Sequence, residues 1–314
     1  MAPDARADSA TLFVGLGKMG EPMVRRYGPT RPTFVYDVSE STASRVAADV
    51  GGTRLTDLAQ LPAAIDTVIL MLPNSTIVES VLLGDGSEDG VLAQLPAGAL
   101  VIDMGSSRPA STRMLAAAAA ARGIDLVDAP VSGGVAKAAA GTLSIMLGGT
   151  KEALARATAH VRPLGAHLLE LGPAGSGHAA KALNNWLSAA NLSAAAEILS
   201  VAVQSGIAPE AMIATLNAST GRSQATEVKY PNHILSGAYD SGFDFDLMLK
   251  DLRIGNELAG EQGTYSPILT SVLGSVEGAR AWFDRDGLDH TEMARFYEEK
   301  NGVTFGESAP EPIS

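Results

Sequence analysis

Apolar positions in the first half of the chain gather into short, nearly unbroken runs. Thr11-Leu-Phe-Val-Gly15, Pro32-Thr-Phe-Val-Tyr-Asp37, Asp66-Thr-Val-Ile-Leu-Met-Leu72 and Ala99-Leu-Val-Ile-Asp103 are the clearest. Runs of this kind suit parallel strands covered on both faces, where neither side-chain direction meets water. Between them lie stretches of helical character at residues 21–27, 40–49 and 110–122, the last containing the alanine run 116–121. Residues 125–128, 143–147 and 167–171 read as further strands of the same sheet. This alternation predicts a doubly wound α/β domain.

After Gly172-Pro-Ala-Gly-Ser-Gly177 the strand signals fade. Residues 178–204 form one long Ala- and Leu-rich stretch, which as a helix would run ~40 Å. Helical patterns follow at 209–216, 247–262, 268–285 and 291–300. The expectation is an all-α C-terminal domain joined to the first by a long interdomain helix.

Composition narrows the function. With 314 residues, of which 46% are hydrophobic and 18% charged, the chain has material for two cores. Its formal charge of −12 argues against nucleic acid, which demands a basic footprint. The chain has no cysteine, which removes disulfides, thiolate metal sites and cysteine nucleophiles and fits a reducing, cytoplasmic setting. No stretch of about 18 uncharged apolar residues stands out, so no membrane span is expected. The first ten residues carry Asp4 and Asp8 and lack a signal-peptide core. Residues 1–9 and 306–314 are expected to be loose tails.

Gly15-Leu-Gly17-Lys-Met-Gly20 is a G-x-G-x-x-G that follows a strand and opens a helix, and Asp37 closes the next strand. In that context Gly15 permits the tight turn, Gly17 lets a pyrophosphate approach the backbone, and Gly20 lets helix and strand pack. The exposed amides and helix N-terminus favour phosphate. The loop as a whole, including Leu16, Lys18 and Met19, is therefore the candidate dinucleotide site. Asp37 should accept from the adenosine ribose hydroxyls and repel a 2′-phosphate, and Val38-Ser39 offers no arginine, so NAD is expected over NADP. The alternative for Asp37 is a cap on the helix after Ser39.

Three further segments carry candidate chemistry. Ser132-Gly133-Gly134 could present amides and a hydroxyl to a carboxylate, or could be a plain loop. Lys181, Asn184 and Asn185 share a helical face, where a desolvated lysine could shuttle protons, or a surface lysine could simply be solvated. Lys250-Asp251 could reach a cofactor or be a surface charge pair. The five histidines are scattered, and the sequence offers no compact metal cluster.

Taken in order, Phe13–Gly20, Met71-Leu-Pro-Asn74, Ile102-Asp-Met-Gly-Ser-Ser107, Asp128-Ala-Pro-Val-Ser-Gly-Gly134, Gly141-Thr-Leu-Ser144, Gly175-Ser-Gly-His-Ala-Ala-Lys181 through Asn185, and Leu249-Lys-Asp-Leu252 resemble the β-hydroxyacid dehydrogenase family, which includes 3-hydroxyisobutyrate dehydrogenase. The resemblance covers roughly residues 12–302. It implies a Rossmann-type dinucleotide-binding domain over residues 10–173 and a helical substrate and dimerisation domain over 174–305. It implies oxidation of a small anionic β-hydroxyacid to its semialdehyde, or the reverse, by hydride transfer with NAD. Lys181 would be the catalytic acid/base, and Ser132, Gly133, Gly134 and Asn185 would bind substrate. Leu72 and Pro73 would flank the adenosine, Ser106 the nicotinamide ribose, and Lys250 would lie near the cofactor. A homodimer or homotetramer is implied, with no metal. Related imine reductases carry a different residue where this chain has Lys181. Imine reduction on the same scaffold and NAD binding without catalysis are the competing expectations.

Overall fold

The apolar runs become the middle of a sheet. The computed structural model describes residues 9–306 apart from Asp85, Ser87 and Glu88. The strands are β1 (Ala10–Val14), β2 (Thr33–Tyr36), β3 (Thr53–Arg54), β4 (Ile65–Leu70), β5 (Leu100–Asp103), β6 (Asp125–Asp128), β7 (Val131–Ser132), β8 (Leu143–Gly148) and β9 (Gly165–Gly172). Their order is β3-β2-β1-β4-β5-β6-β8-β7, with β9 paired to β8. Neighbours from β3 through β6 are parallel. β8 then runs antiparallel to β6 and β7, and β9 returns parallel to β8. This is a Rossmann-like parallel sheet, whose strand order reverses between β1 and β4.

Consecutive residues on a strand face opposite ways, and in the central strands both directions are buried. Leu12, Val14, Val68, Leu70 and Val101 pack with helices α3 (Ser75–Leu83), α4 (Val91–Gln94) and α5 (Pro109–Ala120). Phe13, Ile69, Ile102 and Val127 pack on the other face with α1 (Gly20–Tyr27), α2 (Glu40–Val50), α6 (Gly134–Ala140) and α7 (Lys151–Val161). The sequence pattern shows no strong sign of α3, α4, α6, α7, β3 or β7. They are short or interrupted by polar residues, and the sheet they cover supplies the packing that forms them.

The chain divides into two compact units, the first ending at Lys181 and the second starting at Ala182. The division expected after residue 173 differs because helix α8 (Ser176–Gln204) begins within the first unit. The second unit is helical, with α9 (Pro209–Asn217), α10 (Phe245–Glu261), α11 (Pro267–Trp282) and α12 (Met293–Asn301). A π-helical segment, Ala225–Ile234, contains Pro231. Its core gathers Leu192, Ala196 and Leu199 of α8 with Tyr230, Phe245, Leu252, Val276 and Met293. With a mean hydropathy of 1.4, α8 is long and apolar enough to cross a bilayer by length and composition, which the sequence pattern did not single out. Asn184 and Asn185 interrupt it, and its buried side is core.

Of the tails, residues 1–8 and 307–314 lie outside the described residues. Ser9 donates to Asp66 at 2.9 Å.

At the amino end of β1 a polar knot lies largely buried in the first unit. Tyr27 Oη lies 2.8 Å from Thr11 Oγ1 and 2.7 Å from His160 Nδ1. Burial holds the His160 imidazole down at about 4 and pushes the Tyr27 phenol up to about 12. The unfolded chain therefore takes a proton on His160 near pH 6.5, well before the folded one does. Stability should fall as pH drops from about 6.5 to about 4, by about 1–2 kcal/mol from this ring after discounting its partial exposure. Thermal melts from pH 7 to 4.5 on wild type and His160→Gln should show a smaller acid loss in the variant; parallel losses would contradict the assignment.

Candidate active site

The glycine loop, Asp37, Leu72, Pro73 and Ser106 follow the carboxyl ends of β1, β2, β4 and β5, where ligands bind in open α/β sheets. Gly15 directly follows β1 with φ of +95°, and a Cβ there would stand 2.3 Å from the Met71 carbonyl oxygen. A Cβ on Gly20 would lie 1.9 Å from the Gly15 oxygen, so the turn closes only with glycine at both places. Gly17 is different: nothing lies within 4 Å of a Cβ placed on it. Lys18 is exposed beside it, while Met19 packs on the core. Helix α1 has no side-chain cap at its N-terminus. A close turn, open space at the middle glycine and an uncapped helix start together fit a dinucleotide pyrophosphate.

Asp37 follows β2 and ties this turn down. One carboxylate oxygen accepts from Leu16 N at 2.7 Å and the other from Ser39 N at 2.8 Å. The cap on α2 is Ser39, which accepts from Thr42 N, so the alternative role for Asp37 falls to its neighbour. Val38 is fully open to solvent. Arg54 on β3 is paired with Glu40 at 2.5 Å.

Leu72 and Pro73 follow β4, and Leu72 Cδ2 would stand 3.1 Å from a Cβ placed on Gly15. Ser106 follows β5 in a loop shaped by Asp103. That buried carboxylate accepts from Gly105 N at 3.0 Å and from Ser107 Oγ at 2.9 Å. Ser132 ends β7, Gly133 precedes α6 and Gly134, with φ of +72°, opens it. The stem of Lys137 lies across Gly133, where an added Cβ would come within 2.7 Å of it.

Lys181 is half-buried near the start of α8. The first turn of that helix is held by Asp128, the last residue of β6, which is fully buried. Asp128 accepts from Gly175 N at 2.7 Å and from His178 N at 2.8 Å. Burial pushes its carboxyl up; the neighbouring His178 and these amides act in the opposite direction. The His178 ring is buried too, with Nδ1 2.7 Å from Thr112 Oγ1.

Asn185 and Lys250 belong to the second unit, where Asp251 joins them. Asn185 Nδ2 donates to Asp251 Oδ2 at 2.6 Å, and Lys250 Nζ stands 3.5 Å from Asp251 Oδ1. Asn184 Nδ2 donates to Asn185 Oδ1 at 3.1 Å. Asp103 and Asp128 are not singled out by spacing, and Asp251 only as the charge partner of Lys250. The signal for the first two was available: each is an acid that ends an apolar strand. Among the described residues, no group of three His, Asp or Glu side chains could hold a metal ion.

Both parts of the chain match known protein families. Residues 11–172 match the NAD binding domain of 6-phosphogluconate dehydrogenase, and residues 175–297 match the NAD-binding region of NADP-dependent 3-hydroxyisobutyrate dehydrogenase. The chain is 37% identical to a 2-(hydroxymethyl)glutarate dehydrogenase of Eubacterium barkeri, over 93% of this chain and 96% of that one. It is 36% identical to an NAD-dependent L-serine dehydrogenase of Pseudomonas aeruginosa, over 82% and 87%. A Mycobacterium tuberculosis 3-hydroxyisobutyrate dehydrogenase solved with L-serine superposes with a TM-score of 0.80 at 30% identity, covering 92% of this chain and 98% of that one. With both parts matched in order and relatives similar over nearly their full length, the chain belongs to the 3-hydroxyisobutyrate and β-hydroxyacid dehydrogenase family, NAD(P)-dependent oxidoreductases that act on a CH–OH group.

Proposed function

We propose that this enzyme interconverts a small β-hydroxyacid and its semialdehyde with NAD, using Lys181 as the acid/base. The observation that carries the reading is a half-buried lysine on a helix whose first turn is seated at the end of β6, within the same unit as the glycine loop. The relatives act on 2-(hydroxymethyl)glutarate and L-serine, which share a carboxylate and a hydroxyl on the β-carbon. That shared pattern is the substrate class proposed here.

When bound, the nicotinamide dinucleotide supplies the hydride acceptor, or in reverse the donor. The Gly15–Gly20 loop and the start of α1 would hold its phosphates, Asp37, Leu72 and Pro73 its adenosine end, and Ser106 its nicotinamide side; Lys250 is the residue of the second unit proposed for the cofactor. Ser132, Gly133 and Gly134 would take the substrate carboxylate, where backbone amides neutralise charge without a bulky side chain. Lys181 removes the hydroxyl proton as the carbon loses hydride, and in reverse returns that proton to the forming alkoxide. Asn185, oriented by Asp251, is the substrate-binding residue proposed for the second unit.

NAD rather than NADP is proposed from Asp37, whose negative charge opposes a 2′-phosphate, and from the pairing of Arg54 with Glu40. A homodimer or homotetramer is supported by apolar side chains left exposed along α8, among them Leu187 and Val201. The absence of cysteine supports a cytoplasmic setting.

Lys181→Ala should lower kcat by ~10²–10⁴-fold while leaving the NAD dissociation constant unchanged, read by NADH absorbance and by fluorescence titration. Near-normal turnover in the folded variant would sink the acid/base assignment. Asp37→Ala should weaken NAD more than NADP in the same titration. A wild-type enzyme that already binds NADP more tightly would overturn the cofactor reading.

A further inference from the structure

Two buried groups of the first unit carry no chemistry in the scheme above: the Asp128 carboxylate and the His178 imidazole. Helix α8 starts at Ser176 and is preceded by Gly175, which has no side chain to cap the helix. Asp128 instead takes the N–H groups of residues 175 and 178. In a capping box those two amides are satisfied by side chains of the helix itself. Here one carboxylate from a neighbouring strand does both, so the helix start is fixed to the sheet rather than to its own sequence. Glycines clear the seat: a Cβ on Gly148 would lie 2.5 Å from Asp128 Oδ1, and one on Gly177 would lie 2.9 Å from Oδ2. A serine or aspartate on the helix would cap it with far less desolvation of charge. What the buried acid adds is a fixed position.

His178 adds a second fixture. Its Nδ1 meets Thr112 Oγ1 on α5, and its Nε2 faces Asp103 Oδ2 at 3.7 Å with no hydrogen-bond partner. Asp103 in turn shapes the Gly105–Ser107 loop. Lys181 follows His178 by three residues, so the two share a helical face. Side chains on a helix lean toward its N-terminus, which brings Lys181 over the turn that Asp128 and His178 hold.

We propose that Asp128, together with the His178–Thr112 contact, is a positioning residue for the reaction: it sets where Lys181 stands relative to the Gly105–Ser107 loop and the Ser132 segment. This rests on the assignment of Lys181 as acid/base, and the experiment separates the two. Thr112→Val removes the hydroxyl at nearly constant shape, Thr112→Ser keeps it, and Asp128→Asn leaves one acceptor oxygen where two amides need one each. Asp128→Asn should lower kcat ~10²-fold, Thr112→Val ~10-fold, and Thr112→Ser should match wild type, all with unchanged KM for the cofactor. In a Lys181→Ala background, Asp128→Asn and Thr112→Val should cause no further loss, because the group they place is gone. Wild-type kcat in both single variants, or losses that multiply in the Lys181→Ala background, would overturn the positioning role. Normal turnover in Lys181→Ala itself would overturn the acid/base assignment and this proposal with it. If Asp128→Asn does not fold, the Thr112 pair and its cycle with Lys181 decide the question.

Discussion

A carboxylate cut off from water must find donors, and the Asp128 carboxylate finds them on the first turn of a 29-residue helix. That single requirement orders much of the first unit. It places the start of α8 against the end of β6 and leaves no room for a side chain at Gly148, while Gly177 is held to glycine by the Met146 carbonyl as well. It also seats the His178 ring between Asp128 and Asp103, whose own hydrogen bonds shape the loop after β5. The chemistry proposed for Lys181 depends on this seat, because a flexible four-carbon side chain is only as well placed as the helix turn that carries it.

The same logic recurs after β2 and on helix α10. Asp37 bridges the glycine turn and the start of α2, and Asp251 holds Asn185 on α8 and stands beside Lys250 in the second unit. Each acid orders groups that would otherwise move independently. The amino end of β1 instead carries the Tyr27–Thr11–His160 hydrogen bonds.

Much of this was legible in the sequence. The central strands were plain because their two-sided burial leaves unbroken apolar runs, and Gly15–Gly20 followed by Asp37 carries its own spacing. The order of motifs gave the family. Less legible were elements defined by their partners. β3 is two residues long and exists through its ladder with β2. β7 is also two residues long and lies within a segment that reads as a loop. Helix α11 stops at Trp282, short of the expected residue 285, because the apolar pattern runs on through Phe283 while the backbone there is already extended. The seats of Asp103, Asp128 and His178 were hidden for another reason: hydrogen bonds spanning 47 and 66 positions leave no local pattern.

The most direct measurement follows NADH absorbance while the purified enzyme is offered small β-hydroxyacids bearing one or two carboxylates, each with NAD and with NADP. The account expects turnover of at least one of them, faster with NAD, and none of the matching acids that lack the β-hydroxyl. An enzyme that binds the cofactor yet turns over no β-hydroxyacid, while reducing a cyclic imine, would contradict it.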